Sequence, residues 1–433
     1  MYRVLALILT TIITSFYYFP VSFMVLPTAN TKLVLAVLGL IWFVFASVKD
    51  NHIDIKDDYM SLFITSLVFS LVCFSSVVLN NTADYAYATY FMSMSVWLFG
   101  AYFVCHLIKN VHGKFSVEIV AHYLIVVCVT QCILAIIIDN SPSFKSLVDS
   151  VFSQDQEFLT EVERLYGIGA MLDTAGIRFS LVLVLISYMI IRSKNTLLEK
   201  YKYLYIVSFF TVSIIGCVMA RTTTVGVLIG LSYLLYKQIF SNISLRPFSL
   251  RDIIVGSTFL VFVGTIIVYL YNTNEQVHHY LRFGFEGFFS LFEQGEWEVG
   301  SNTQLKNMVV FPETLKTWFI GDGYFNNPVA TDPYFVGKVT GGYYMGTDVG
   351  YLRFIFYCGL IGLLAFSLFL YRACALCCNK FPRRKLLFYL LLIVNFICWL
   401  KVSTDTFLIF ALMIMIDKDY DKVYDEEISV LEA

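Results

Sequence analysis

Apolar runs of about 17 residues or more recur from one end of this chain to the other, each able to cross a hydrocarbon core. A soluble globule of 433 residues needs a far more charged surface than 14% charged residues against 58% hydrophobic ones can supply. The expected fold class is therefore all-α: a polytopic membrane helical bundle of about 12 transmembrane helices. The spans fall at 4–26, 32–48, 59–79, 88–108, 117–138, 178–192, 203–220, 222–240, 252–271, 349–371, 386–400 and 402–416. The run after Arg3, VLALILTTIITSFYYFPVSFMV, is longer than a signal-peptide core and reads as the first span.

Charge orients these spans. With the N-terminus in the cytoplasm, the inside segments are KDNHIDIK, KNVHGK, RSKNTLLEKYK, KQIFSNISLRPFSLR and RACALCCNKFPRRK, plus both termini. They hold nineteen of the 30 Lys and Arg, whereas the outside loops PTANTK and NNTADYAYA carry a single positive charge between them. Only Lys401 departs from this positive-inside alternation among the short loops. Both termini are expected in the cytoplasm. The ten cysteines lie in apolar spans or in RACALCCNK, which argues against a disulfide framework. Cys374, Cys377 and Cys378 lack a fourth metal ligand and read as packing at the membrane edge.

Residues 1–433 are expected to form a single membrane domain with two long outer loops, 139–177 and 272–348. In the first, VDSVFSQDQEFLTEVERL places apolar residues at 148, 151, 152, 158, 159, 162 and 165, which predicts a helix with one apolar face. The second holds sixteen aromatic residues, a composition that resists disorder and predicts a partly helical cap.

The positive-inside rule makes an outer-face arginine beside a span informative, and there are four: Arg164, Arg178, Arg221 and Arg353. All belong to one face, so they are expected to converge. A guanidinium fork binds phosphate oxygens bidentately and stays charged. The phosphate at that depth is a lipid head, and rings offer a platform for the C–H faces of sugars; together these point to a lipid-linked glycan. Each residue also has a structural use. Arg164 fits a helix pair with Glu161, Arg178 can snorkel to the interface, and Arg353 can neutralise Asp348. The loop aromatics also suit an interface belt. Arg282 and Glu286, four apart, read as an ordinary helix pair, and His278 and His279 as a surface pair.

Five stretches, RLYGIGAMLDTAGIRFS, MARTTTVGVLIG, FEGFFSLFEQGEW, FPETLKTWFIGDGYF and GTDVGYLRFIFYCGLIGLL, resemble in this order the O-antigen polymerase family of bacterial envelope biosynthesis. The resemblance covers about residues 160–370; the first 150 residues contribute only their spans. It implies an inverting glycosyltransferase of the bacterial inner membrane. Such an enzyme moves a growing glycan from undecaprenyl pyrophosphate to the non-reducing end of the next lipid-linked unit, on the periplasmic face. It implies no metal, cofactor or nucleotide sugar, and no nucleic acid. The implied partners are the lipid-linked oligosaccharide, membrane lipid and a chain-length regulator protein. The related O-antigen ligases carry a histidine just before the span that follows the long loop. Here Thr347 and Asp348 stand at that place and no histidine occurs from 280 onward, which favours polymerase over ligase. A lipid-linked oligosaccharide flippase is the other alternative; it is expected to show two related halves and mid-membrane charges.

On this reading Arg164 and Arg221 stabilise the departing pyrophosphate and Asp348 accepts the proton of the attacking hydroxyl. Asp348 serves equally as a helix N-cap. Arg178, Arg353, Asp173, Asp322 and Tyr351 are expected to bind substrate. The glycines of GDGY and TGGYYMG let backbone amides approach a ligand, or simply turn the chain.

Overall fold

The computed structural model describes residues 2–49, 57–154, 159, 164–193, 198–241, 247–331, 335, 340 and 342–416. Along the chain, α1 (Tyr2–Tyr18) is followed by strands β1 (Ser22–Phe23) and β2 (Leu26–Asn30), then by α2 (Thr31–Lys49), α3 (Asp57–Leu79), α4 (Tyr90–His112) and α5 (Val117–Asn140). Next come α6 (Pro142–Val151), β3 (Phe152–Ser153), α7 (Leu172–Ser193), α8 (Lys202–Met219), α9 (Thr223–Phe240) and α10 (Leu250–Thr273). Short helices α11 (Glu275–Gly284), α12 (Glu286–Gln294), α13 (Gly300–Asn307), α14 (Leu315–Phe319) and α15 (Pro328–Thr331) precede α16 (Gly350–Lys380), α17 (Lys385–Cys398) and α18 (Phe407–Ile414).

Among the described residues, nine helices are long and apolar enough to cross a membrane. The chain is a multi-pass α-helical membrane protein. Expected spans at both ends of the chain differ in detail. The first is helical only to Tyr18, because Pro20 has no N–H to donate and the chain turns into the β1–β2 hairpin. At the other end, α17 has 14 residues and α18 has 8, where 386–400 and 402–416 were expected. The chain breaks between them because side chains cap the turn: Asn395 Oδ1 accepts the Thr406 N–H at 3.0 Å, and the Trp399 indole donates to the Thr404 carbonyl.

The described residues pack as two compact units. One combines the chain up to Thr31 with Val111–Val299; the other combines Lys32–Asn110 with Gly300–Ile416.

The first unit is built around α7, whose residues are almost all buried. Its face of Gly176, Ser180 and Ser187 meets Ala220, Gly226 and Gly230, so backbones approach closely without lipid between them. The Gly226 N–H donates to Ser180 Oγ at 3.1 Å, and that hydroxyl donates to the Thr222 carbonyl at 3.0 Å. These bonds fix the α8–α9 hairpin against the start of α7. β1 pairs antiparallel with both β2 and β3, placing Phe23 opposite Phe152. The helix expected over VDSVFSQDQEFLTEVERL ends at Val151, where the chain joins this sheet; residues 155–158 and 160–163 lie outside the described residues.

In the second unit α16 packs along α3, with Phe69 stacked on Phe366 at 4.3 Å. The α16 helix is broken at Gly359, whose φ of +67° no side chain tolerates well and whose α-carbon faces the Phe319 carbonyl. The break leaves carbonyls that the GDGY loop uses. The Asp322 N–H donates to the Phe356 carbonyl at 2.6 Å, and the Gly323 N–H to that of Tyr357 at 3.2 Å. Asp84, buried, accepts the N–H groups of Phe325 and Asn326 at 2.9 and 2.8 Å and holds the far side of the same loop. Cys374, Cys377 and Cys378 are buried free thiols in α16.

Candidate functional site

The loop that carries Arg164 is fixed by two glutamines. Gln131 of α5 donates to the Ile168 carbonyl at 2.9 Å and accepts its N–H at 2.8 Å. Gln154 accepts the Gly169 N–H at 2.6 Å, where a φ of +72° brings that residue against the Phe19 carbonyl. The turn YGIGA is thereby locked onto α5, and Arg164 leaves it in a defined direction.

Arg164 and Arg221 meet at one ring. Their guanidinium carbons lie 4.9 and 4.1 Å from the centre of Phe283, near the C-terminal end of α11, within the range of cation–π attraction. The Arg221 Nε donates to the Phe283 carbonyl at 2.9 Å, and its Nη2 lies 2.7 Å from Glu286 Oε2. Burial draws the Arg221 guanidinium below its ordinary value, Glu286 pulls it back, and Arg164 pushes it down further. Asp173, at the start of α7, accepts a hydrogen bond from Thr222 Oγ1 at 2.8 Å and so stands beside this pair. Glu286 therefore serves Arg221 and not Arg282. Phe285 interrupts the helical path between α11 and α12 with φ −120° and ψ 26°, which destroys the four-residue spacing. Arg282 pairs instead with Glu293.

Arg164 also lines a cavity of about 480 Å³ in the same unit. Its walls include Ile138, Leu159 and Leu165 with Asp139, Lys145, Tyr166, Gln276, His279 and Tyr280. Asp139 accepts from the Tyr280 hydroxyl at 2.7 Å and from the Gln276 amide at 2.8 Å. The Tyr166 hydroxyl donates to Asp149 at 3.0 Å; burial, then Asp149, pushes its pKa up. His278 is half-buried with its ring stacked on Tyr271 at 4.2 Å, while His279 is exposed and lines the cavity.

Arg178 sits elsewhere on α7, its guanidinium 5.6 Å from the Phe19 ring and its carbonyl accepting from the Tyr18 hydroxyl at 2.9 Å. The structure unites Arg164 with Arg221; Glu161, the suggested local partner of Arg164, lies outside the described residues.

Arg353 belongs to the second unit. Its guanidinium lies 3.4 Å from the Tyr343 ring centre and 4.0 Å from that of Phe325, with Nη2 donating to the Phe325 carbonyl at 3.2 Å. Its Nη1 is 3.9 Å from Asp348 Oδ1; the side chains are 7% and 35% exposed. The pair that looked poor from helical spacing forms because α16 starts only at Gly350, leaving Asp348 in the preceding loop. Val349 holds the N-cap position, so Asp348 is not the cap residue. Asp322 accepts from Thr317 Oγ1 at 2.8 Å and from the Tyr344 hydroxyl at 3.1 Å. Burial, then Asp322, pushes the Tyr344 phenol up. The Tyr351 hydroxyl donates to the Phe396 carbonyl at 2.8 Å.

Sequence reasoning overlooked Lys145, Asp139 and Tyr280. Nothing in their local sequence marks them; only the packing of α5, α6 and α11 collects them. No protein-family model, curated protein or solved structure matches the chain. The family resemblance rests on its motifs and their order alone.

Proposed function

We propose that the chain is a polysaccharide polymerase of the bacterial inner membrane, working on glycans carried by undecaprenyl pyrophosphate. The observation that carries this reading is the position of Arg164, which lies over Phe283 beside Arg221 and at the same time lines the cavity. Paired cations at the mouths of apolar helices suit a lipid phosphate, and a cavity with mixed apolar, aromatic and amide walls suits a sugar.

In the reaction, a hydroxyl oxygen at the non-reducing end of the incoming unit attacks the anomeric carbon of the growing chain. The bond from that carbon to the pyrophosphate oxygen breaks, and polyprenyl pyrophosphate leaves with the electron pair. Arginine charge aimed at the leaving group counts for more in the transition state than in the ground state. Asp348 takes the hydroxyl proton in this reading. Both termini lie in the cytoplasm, and 139–177 and 272–348 cap the outer face. The short helices α1, α17 and α18 complete the nine long ones to twelve crossings.

The test is deletion of the gene followed by separation of surface glycans by length. Loss of long chains with retention of the one-unit glycan is the expected outcome. Loss of all surface glycan points instead to a ligase or a flippase, and unchanged lengths overturn the reading.

A further inference from the structure

We propose that the cavity between α5, α6 and α11 is a phosphate site whose two ligating cations are Lys145 and Arg164, and that the phosphate it takes belongs to a polyprenyl-linked saccharide. The assignment rests on the glycan reading above for the source of the phosphate, but not for the site itself.

Four observations converge. Among the described residues, neither the Lys145 ammonium nor the Arg164 guanidinium has an ionic or hydrogen-bonding partner, and the Arg164 Nε is buried without one. Both nevertheless line one cavity. The carboxylates in its walls face other donors or solvent: Asp139 accepts from Tyr280 and Gln276, and Glu275 lies on the exposed rim. Finally, a volume of about 480 Å³ falls within the usual range of small-molecule sites and exceeds what a bare phosphate needs. The remaining space is bounded by Tyr166, Tyr280 and Gln276, which suit the first sugar.

Arg221 then changes role. Its charge is already matched by Glu286 and its Nε by the Phe283 carbonyl. It acts as a positioning residue that holds Phe283 under Arg164, while Lys145, on α6, supplies the second cation.

The experiment is calorimetric titration of the full-length protein in zwitterionic nanodiscs with inorganic pyrophosphate, geranylgeranyl pyrophosphate and glucuronate. Wild type should bind both pyrophosphates, the prenylated one at least as tightly, and glucuronate weakly. Lys145→Gln and Arg164→Gln should each weaken pyrophosphate binding by about tenfold to a hundredfold, the loss expected for a charge-assisted contact. Lys145→Arg should keep most of the affinity, and Lys316→Gln, in the other unit, should keep all of it. Matched melting temperatures show that the variants are folded. Wild-type affinity in Lys145→Gln overturns the site. Preference for glucuronate overturns the phosphate assignment, and binding of inorganic pyrophosphate alone overturns the lipid source. If the deletion strain makes polymer of normal length while Lys145→Gln loses binding, the polymerase reading fails and the site stands. If polymer is lost but Lys145→Gln binds normally, the reverse holds.

Discussion

Arg164 and Arg353 are the same residue type, picked out by the same argument from misplaced charge, and they meet opposite surroundings. Arg353 is 7% exposed, lies against two aromatic rings, donates to a carbonyl and stands near a carboxylate. Arg164 touches one ring and lines a cavity; the Nε of both arginines is buried with no acceptor among the described residues. The first guanidinium is consumed by its own fold. The second has no ionic or hydrogen-bonding partner among the described residues and opens on a cavity. A charge in an unfavourable place therefore signals a requirement, and the neighbours decide whether the protein or a ligand meets it.

This contrast orders the effects of substitution on stability. Arg353→Ala should be the most damaging, at about 2–4 kcal/mol, because it empties the space between Phe325 and Tyr343 and leaves the Phe325 carbonyl without its donor. Thermal unfolding in detergent measures it, and a loss below about 1 kcal/mol would erase the contrast between the two arginines. Arg221→Ala should cost about 1–2 kcal/mol, since it frees a partly exposed Glu286 and the Phe283 carbonyl. Arg164→Ala should cost under about 1 kcal/mol, the scale of one cation–π contact. On polymer formation the order reverses: Arg164→Ala should leave an inserted, folded protein that accumulates single-repeat glycolipid. Polymer of normal length from that variant would remove Arg164 from phosphate binding. Asp348→Asn should be nearly neutral in stability, because the contact to Arg353 is long at 3.9 Å, yet should abolish chain growth if this carboxylate is the base. Unchanged polymer output would remove it from the mechanism and leave its contact with Arg353 as its use.

The legible and illegible parts of the molecule divide by the range of the forces involved. Nine long apolar helices were readable because burial in lipid sums over a local window. The α1 helix was over-read by several residues, since Pro20 was counted for its apolarity and not for its missing N–H. Arg282 and Glu286 obeyed the helical spacing, but one non-helical residue, Phe285, gave Glu286 to an arginine 65 positions earlier and Arg282 to Glu293. Lys145 carried no signal at all, being one lysine on a short amphipathic helix.

The sequence alone determined that this chain lives in a membrane as helices, because hydropathy is additive along the chain and a span must satisfy its own backbone. It also singled out the arginines, since their insertion cost is local. Only the tertiary structure decided which of those arginines share a ring, which is spent on a carboxylate, and which opens on a cavity beside Lys145. Those pairings depend on contacts between residues far apart in sequence, and no local pattern encodes which partner reaches a guanidinium first.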